Sequence, residues 1–184
     1  MKKYEVWTDG GCTPNPGKGG YGIILNCDGE QSFYVGGEGE STNNRMEFTA
    51  VIAAARLLPA GCEATIHTDS QLVIDVLTGA CEGKITKPFI PLFEEASLDK
   101  RIDLKWVKGH SGQVQNELCD RLATWATNRN ASEKGFDSPA WGPVRLDHTA
   151  LSHALPPTVG QPRTAIANFK LTATKQHGKW SPHV

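Results

Sequence analysis

Four acidic residues occupy settings in which their carboxylates could act together, namely Asp9, Glu47, Asp69 and Asp120. Asp9 ends a strand-like run over 4–8, and α/β sheets place ligand chemistry at the C-terminal ends of their strands. No basic residue of matching placement accompanies the acids, so the donor set is hard oxygen, which suits Mg²⁺ or Mn²⁺ and excludes a zinc site with nitrogen and sulfur ligands. Two such cations roughly 3.5 to 4 Å apart clamp the attacking and leaving oxygens of a phosphodiester displacement. The pattern therefore indicates phosphodiester hydrolysis.

Glu47 is the acid whose position most needs a ligand. It shares a helical stripe with Val51, Ala54 and Leu58, so it is expected to face the core. Burying an unpaired charge costs more free energy than a hydrogen bond recovers. We therefore expect this carboxylate to be paired or bound to a metal.

The other three acids also have simpler interpretations. Asp9 and Gly10 form a dipeptide that is common in turns. Asp69 follows the fourth predicted strand as Asp9 follows the first, but it could instead cap the helix that begins at Ser70. Asp120 lies one helical turn after Glu117, and helix residues at this spacing usually form a solvated surface.

Nine segments must position these carboxylates. Alternation and β-branched or aromatic residues predict strands over 4–8, 21–27, 32–35, 64–68 and 101–107. Capping residues and helical periodicity predict helices over 45–58, 70–77, 89–96 and 117–127. The order βββαβααβα predicts an α/β fold with a mixed sheet, in which the first, fourth and fifth strands are parallel.

Composition limits the chain to one ordinary domain with an appendage. Its 184 residues are 39% hydrophobic and 21% charged, as in a soluble globular protein, and no apolar run approaches a membrane span. No secretory signal is visible at the N-terminus, so we expect a cytoplasmic location without membrane contact. The five cysteines are odd in number and contain no Cys-x-x-Cys pair, so we expect them to be reduced.

The character of the sequence changes near residue 131. Residues 1–130 hold 13 basic against 17 acidic side chains, whereas 131–184 hold 6 against 3 and contain six of the eleven prolines. We interpret 1–130 as the catalytic domain and 131–184 as a basic linker or tail that is mobile or binds a partner. Within this tail, 165–174 alternates and is a candidate strand.

The motifs around the acids resemble those of ribonuclease H type 1. They are TDGG at Asp9, TNNRMEF at Glu47, HTDSQ at Asp69 and KGHSGQVQNELCD ending at Asp120, in the order and spacing of that family. The resemblance covers about residues 3–130. It implies a five-stranded mixed sheet flanked by helices, and an endonuclease that cleaves the RNA strand of an RNA/DNA hybrid to leave 5′-phosphate and 3′-hydroxyl ends.

The resemblance also implies roles for individual residues. Asp9, Glu47, Asp69 and Asp120 would hold two Mg²⁺ ions, with Mn²⁺ as an alternative, and His110 would assist water activation or product release. The residues implied in substrate binding are Cys12 beside the 2′-hydroxyls, the groove-contacting amides Asn15, Asn43 and Gln71, and Thr42 in a pocket for a DNA phosphate. Glu117 corresponds to an auxiliary acid near the second metal.

The chain departs from the family pattern where many bacterial members carry a basic protruding helix, the handle. Residues 78–100 hold only three lysines, and Leu72 and Ala80 stand where such members have aromatic side chains along the DNA strand. With a catalytic domain of net charge −4, we expect hybrid binding to need another source of cations, for which the basic tail is the candidate, through contact with nucleic acid or with a partner protein. We expect a monomer.

Two other functions compete with the hydrolysis of hybrids. One is a different nuclease of the same fold, such as a resolvase-like enzyme, and the TNNRME and KGHSG motifs argue against it. The other is a catalytically silent module that binds hybrids, which the complete set of four acids disfavours. A cleavage assay with Mg²⁺ that compares hybrid, duplex DNA and duplex RNA distinguishes these alternatives.

Overall fold

A computed structural model of the protein describes residues 1–132 and 140–155. The strands are Lys3–Cys12 (β1), Gly17–Cys27 (β2), Glu30–Ser41 (β3), Glu63–Thr68 (β4), Arg101–Trp106 (β5) and Ala140–Arg145 (β6). The helices are Asn43–Leu57 (α1), Gln71–Leu77 (α2), Phe89–Ala96 (α3), Val114–Ser132 (α4) and His148–Ala154 (α5). The predicted order of elements is therefore confirmed up to α4, and β6 and α5 follow it.

The strands form one mixed sheet in the order β5-β4-β1-β2-β3-β6. β1, β2 and β3 pair antiparallel, as their short connections require, whereas β4 is parallel to both β1 and β5. This confirms the predicted mixed α/β sheet and the parallel arrangement of its first, fourth and fifth strands. The prediction of five strands was wrong, because β6 adds a sixth at the edge beyond β3.

Hydrophobic side chains cover both faces of this sheet. Because neighbouring strand residues point to opposite faces, Val6 belongs to a core with α1, α2 and α3, while Trp7 belongs to a second core with α4 and α5. Among the described residues, no helix combines the length and apolar character needed to cross a membrane. All five cysteines are free thiols in the structure.

The glycine-rich segments are strands, although the sequence suggested loops. β1 continues through Gly10 and Gly11 to Cys12, and β2 begins at Gly17, well before the predicted start at Tyr21. Asp9 therefore lies inside β1, paired with Gly22, and neither ends a strand nor forms a turn. The parallel pairing of β1 with β4 ends at Trp7. Asp9 therefore lies just beyond the C-terminal end of the pairing with β4, although it remains paired with β2.

The segment after residue 130 is partly integrated into the sheet, which corrects its interpretation as a linker or tail throughout. β6 pairs with β3, and Leu146, Leu151 and Leu155 are buried in the core beneath α4. Periodicity did not reveal β6, because its six residues include Gly142 and Pro143. A functional division near residue 130 stays a prediction, while the candidate strand over 165–174 lies outside the described residues.

Specific contacts hold this C-terminal segment to the end of α4. The Trp141 indole donates a 2.6 Å hydrogen bond to Asn130 Oδ1, and Asn130 Nδ2 donates to the Gly19 carbonyl at 2.6 Å. A Cβ on Gly36 would lie 2.7 Å from the Trp141 carbonyl oxygen, so only glycine allows β6 to approach β3 at this point. The segment is therefore fitted to the domain and is not loosely attached to it.

We expect removal of this segment to destabilise the domain strongly. A truncation after Ser132 exposes the core that Leu146, Leu151 and Leu155 cover, and each buried leucine contributes about 1.5–3 kcal/mol. The melting temperature should fall by at least about 10 °C. Calorimetry can compare the truncation after Ser132 with a truncation after Leu155, which retains every described contact. Equal melting temperatures for the two truncations would contradict the assignment.

Candidate active site

Asp9 and Glu47 meet because α1 lies unusually close to β1. A Cβ on Gly10 would lie 2.5 Å from the carbonyl carbon and oxygen of Met46, so the helix can approach only where the strand has glycine. Glu47 is the next helix residue, and its carboxylate accepts a hydrogen bond from the Gly10 amide and interacts directly with the Asp9 carboxyl group. Close packing of α1 thus places the two acids together.

Asp120 reaches the same point from the opposite helix by an equivalent arrangement. Gly22 pairs with Asp9, and a Cβ on it would lie 2.8 Å from the Cys119 carbonyl oxygen and 2.6 Å from Leu122 Cβ. Asp120 follows Cys119 in α4, and its side chain hydrogen bonds with that of Asp9. The alternative that Asp120 belongs only to a solvated helix surface is therefore excluded.

Asp69 enters the cluster from the loop that follows β4. Ser70, not Asp69, caps α2, because its hydroxyl accepts the Val73 amide hydrogen bond at 3.3 Å. The alternative that Asp69 serves as the cap is thus excluded. The Trp106 indole donates to the Asp69 carbonyl at 3.1 Å, and a Cβ on Gly109 would lie 2.7 Å from Asp69 Oδ2. The last residue of β5 therefore contacts the main chain of Asp69, and the loop after β5 contacts its carboxylate.

These carboxylates line one open cleft of about 340 Å³. Its walls come from β1, the loop after β1, the N-terminal part of α1, the loops after β4 and β5, and one face of α4. The lining residues are Asp9, Gly10, Gly11, Cys12, Thr13, Asn43, Glu47, Asp69, His110, Asp120, Ala123, Thr124 and Thr127. Every predicted catalytic residue is therefore at the same cleft.

Burial and mutual repulsion make the site costly to ionise. Desolvation raises the pKa of Asp9 to about 7, with further increases from the charges of Asp69 and Asp120 and an opposing hydrogen bond from Glu47. Burial also raises the pKa of Glu47 well above its ordinary range, and the Asp9 charge adds to this. The pKa of Asp69 is raised by desolvation but lowered by a hydrogen bond from Asn116 and by the nearby His110.

The donor set fits a divalent cation with oxygen ligands. Asp9, Glu47 and Asp69 each offer a carboxylate oxygen, and these atoms lie within 4.8 Å of one another. Glu47 Oε2 is buried without a hydrogen-bond partner among the described residues, which leaves an oxygen that a cation would satisfy. Asp120 lies outside this group of three and joins the site through its contact with Asp9.

His110 lies on the exposed rim of the cleft. Its backbone has a φ of +53°, and Gly112 two residues later has a φ of +86°, so the loop turns sharply around it. The imidazole is close enough to Asp69 to lower the pKa of that carboxyl group. The loop thus presents an exposed imidazole beside the acidic cluster, and its predicted role in water activation or product release stays a prediction.

Three of the predicted substrate-binding residues are joined by hydrogen bonds. The Cys12 amide donates to Asn43 Oδ1 at 2.8 Å, and the Asn43 amide donates to Asn15 Oδ1 at 3.1 Å. Thr42 lies next to them and caps α1, because its hydroxyl accepts a hydrogen bond from the Arg45 amide at 3.1 Å. The N-terminus of α1 and the loop after β1 therefore present one continuous polar surface.

Four predicted residues lie outside the cleft lining, namely Asn15 and Thr42 in the polar surface just described, and Gln71 and Glu117 on two other helices. Gln71 is exposed on α2, where its side-chain amide donates to Asp75 Oδ1 at 2.8 Å. Glu117 is exposed on α4, one turn before Asp120. Their roles in substrate binding and metal tuning stay predictions.

Sequence analysis missed three polar residues of α4. Asn116 is buried and hydrogen bonds with the Asp69 carboxylate, while Thr124 and Thr127 line the cleft. Asn116 and Thr124 are each four residues from Asp120, so helical spacing places all three on one face. This spacing was the available signal, whereas Glu117 occupies an exposed position outside the cleft.

Comparisons with known proteins agree with this geometry. The sequence profile of the family described as RNase H matches residues 1–128. A ribonuclease H from Gluconobacter oxydans is 42% identical over 135 residues, which cover 66% of this chain and 90% of that protein. A ribonuclease H from a Chelativorans species is 38% identical over 151 residues, covering 75% and 93% of the two chains.

Solved structures show the same fold. The N-terminal RNase H domain of a Mycobacterium tuberculosis protein superposes with a TM-score of 0.59 at 27% identity, covering 71% of this chain and 97% of that one. LC11-RNase H1, solved in complex with an RNA/DNA hybrid, superposes with a TM-score of 0.54 at 21% identity. The match covers 70% of this chain and 99% of LC11-RNase H1.

The raised pKa values predict that the metal-free protein loses stability as pH rises. Between about pH 4 and 7 the folded protein holds protons on Asp9 and Glu47 that the unfolded chain has released, so the free energy of unfolding falls with increasing pH. Asp9→Asn should reduce this fall by an amount on the order of a few kcal/mol.

Denaturant titrations at pH 5 and pH 8 in the presence of a chelator measure this effect. Asp103→Asn is the matched control, because Asp103 is an exposed carboxylate on β5. An identical pH dependence for Asp9→Asn and Asp103→Asn would show that the cluster does not carry the unfavourable charge.

Proposed function

The chain belongs to the RNase H family, and we propose that it is an endonuclease that hydrolyses the RNA strand of RNA/DNA hybrids, leaving 5′-phosphate and 3′-hydroxyl ends. The convergence of Asp9, Glu47, Asp69 and Asp120 on one cleft carries this proposal. The hybrid bound by LC11-RNase H1 supports the choice of substrate. A resolvase-like activity and a silent binding module are less well supported, since relatives along most of the chain are ribonucleases H and all four acids are present.

We propose that the acidic cluster binds two Mg²⁺ ions, with Mn²⁺ as an alternative. Asp9, Glu47 and Asp69 would supply oxygens to the cations, and Asp120 would complete the set from α4. When bound, the cations supply Lewis-acid stabilisation of the attacking and leaving oxygens of the phosphodiester. Binding would also neutralise the charge that makes the cluster costly in the free protein.

The chain's own residues orient the reaction. Asn116 and the Trp106 indole hold Asp69, so that its carboxylate keeps a fixed direction. His110 would accept a proton from water or help the product leave, and its exposed position at the rim near Asp69 supports this role. In hydrolysis a water oxygen bonds to phosphorus while the bond from phosphorus to the 3′-oxygen breaks. The proton of the water passes to a base or to solvent, and the 3′-oxygen takes up a proton to become the 3′-hydroxyl.

The polar surface at the start of α1 would recognise the minor groove of the hybrid. Ribose 2′-hydroxyls are exposed in this shallow groove and can be read by amides and main-chain groups. Cys12, Asn15 and Asn43 form one hydrogen-bonded set at the edge of the cleft, which supports their assignment as groove contacts. Thr42 and Gln71 would contact the substrate on either side, and Glu117 would tune the site from solvent.

The acidic cluster predicts the behaviour of Asp9→Asn. The substitution removes a central ligand and part of the carboxylate repulsion, so cleavage should be abolished while the folded protein remains at least as stable. Cleavage of hybrid, duplex DNA and duplex RNA in Mg²⁺ measures activity. Calorimetric titration with Mn²⁺ measures metal binding independently of activity and should show weaker binding to the variant.

His110→Ala is the comparison variant. It should lower kcat only partly, by about 10²-fold if the imidazole acts as an acid or base, since the cations supply the larger share. Metal binding should be unchanged, because the ligand oxygens come from Asp9, Glu47 and Asp69 and not from His110.

Near-normal turnover of Asp9→Asn at saturating Mg²⁺ would refute the assignment of the acidic cluster as the catalytic site.

We propose that the protein acts as a monomer and that its C-terminal residues strengthen binding to nucleic acid. Residues 156–184 contain Arg163, Lys170, Lys175 and Lys179 and no acidic residue, whereas the catalytic region is acidic. Each contact between a cation and a phosphate releases counterions. The alternative is that this part of the chain binds a partner protein.

A truncation after Leu155 tests the role of these cations. It should weaken hybrid binding and flatten its dependence on salt, by about 0.9 in log-log slope for each phosphate that the full chain neutralises and the truncation does not. It should leave kcat nearly unchanged, because the acidic cluster and His110 remain. Affinity measured at several salt concentrations for the full chain and the truncation decides the matter. Superimposable slopes would favour the alternative.

A further inference from the structure

Trp7 and His67 form the last pair of residues between β1 and β4 before the acidic cluster. Each of them lies two residues before an acid, since Asp9 follows Trp7 in β1 and Asp69 follows His67 just after the end of β4. The parallel pairing of the two strands ends at this pair. The spacing of the strands at Trp7 and His67 therefore determines how far apart the chain segments of Asp9 and Asp69 begin.

The two side chains form a parallel stack. The ring centroids of Trp7 and His67 lie 5.0 Å apart, and the ring planes differ by 9°, which is within the range of favourable aromatic pairs. On β5 the residues of the same sheet face, Arg101, Asp103 and Lys105, are exposed, whereas only 12% of the His67 side chain is exposed. The imidazole is thus enclosed on a part of the sheet that is otherwise open.

Two hydrogen bonds from β1 fix the position of His67. The imidazole Nε2 donates to the Glu5 carboxylate, with 2.5 Å between Nε2 and Oε2. The Thr8 hydroxyl donates to the main-chain carbonyl of His67 at 3.4 Å. Because Glu5 and Thr8 both belong to β1, this one strand holds the side chain and the main chain of His67.

The stacked pair carries a cost in stability. Trp7 Nε1 and His67 Nδ1 are both buried without a hydrogen-bond partner among the described residues. Burying such groups costs free energy that an apolar side chain would avoid. Natural proteins break such local rules mainly at functional sites. The imidazole therefore has a role besides stability.

We propose, on the basis of the proposed function, that His67 is a positioning residue whose ring, stacked on Trp7 and held by Glu5, sets the separation of Asp9 and Asp69. The ligand oxygens of Asp9, Glu47 and Asp69 lie within 4.8 Å of one another. A small hard cation requires its ligand oxygens at about 2.0–2.1 Å in a near-octahedral arrangement, so it tolerates little change in their spacing. The stack thereby sets the affinity of the cluster for divalent cations.

His67→Leu separates this role from a purely structural one. Leucine fills the site and removes the unpartnered Nδ1, so the protein should remain folded, but it has no planar ring to stack on the indole. Calorimetric titration should show Mn²⁺ affinity about 10-fold weaker, as when a group that orients metal ligands is lost. In hybrid cleavage at a fixed, subsaturating Mg²⁺ concentration, kcat should fall by a similar factor with KM for the hybrid unchanged, because His67 does not line the cleft. His67→Phe, which keeps a planar ring, should recover most of both.

Thr65→Leu is the matched control, because Thr65 lies two residues before His67 on the same strand and the same face of the sheet. It should leave Mn²⁺ affinity unchanged. If His67→Leu binds Mn²⁺ as tightly as the unaltered protein, or if Thr65→Leu weakens binding equally, His67 does not position the acids. An unaltered protein that binds Mn²⁺ without cleaving hybrids would refute the proposed function alone, and the calorimetric comparison would still decide the role of His67.

Discussion

The close approach of two helices to the central strands is the constraint on which the site depends. α1 lies over Gly10 and α4 lies over Gly22, at distances that no Cβ would allow. The acid that follows each contact residue, Glu47 after Met46 and Asp120 after Cys119, is thereby brought to Asp9. Replacing either glycine would move a helix, so the backbone of β1 and β2 sets the geometry of the carboxylates.

The same proximity has an electrostatic consequence. Carboxylates brought together in a partly dry cleft repel each other, and burial raises the pKa of Asp9, Glu47 and Asp69. Interactions elsewhere in the domain must offset this cost, and the two hydrophobic cores on the faces of the sheet supply them. Cations would bind where carboxylates are costly to ionise, because they offset the repulsion between the negative charges. The cost of ionising the cluster and its capacity to bind cations thus have the same origin.

The catalytic region carries no excess of positive charge with which to attract a nucleic acid. The catalytic region has more acidic than basic residues, and the described loop between α2 and α3 contains no additional helix. The surface beside the cleft instead offers main-chain groups, amides and an apolar groove. Beyond β3, the C-terminal segment completes the sheet and covers the second core, so the first part of this extension is structural.

The sequence alone determined the mixed sheet, the parallel strands, the family and the acids of the cleft, because strand alternation, helix caps and motif spacing are local properties. It failed where the cause is not local. Gly19 and Gly20 suggest a loop until α1 and α4 are in place to require them, and the strand from Ala140 to Arg145 is recognisable only by its pairing with β3. Asn116 likewise gains its role from Asp69, 47 positions earlier. Only the tertiary structure decided these points, because close packing and edge pairing depend on partners distant in the chain.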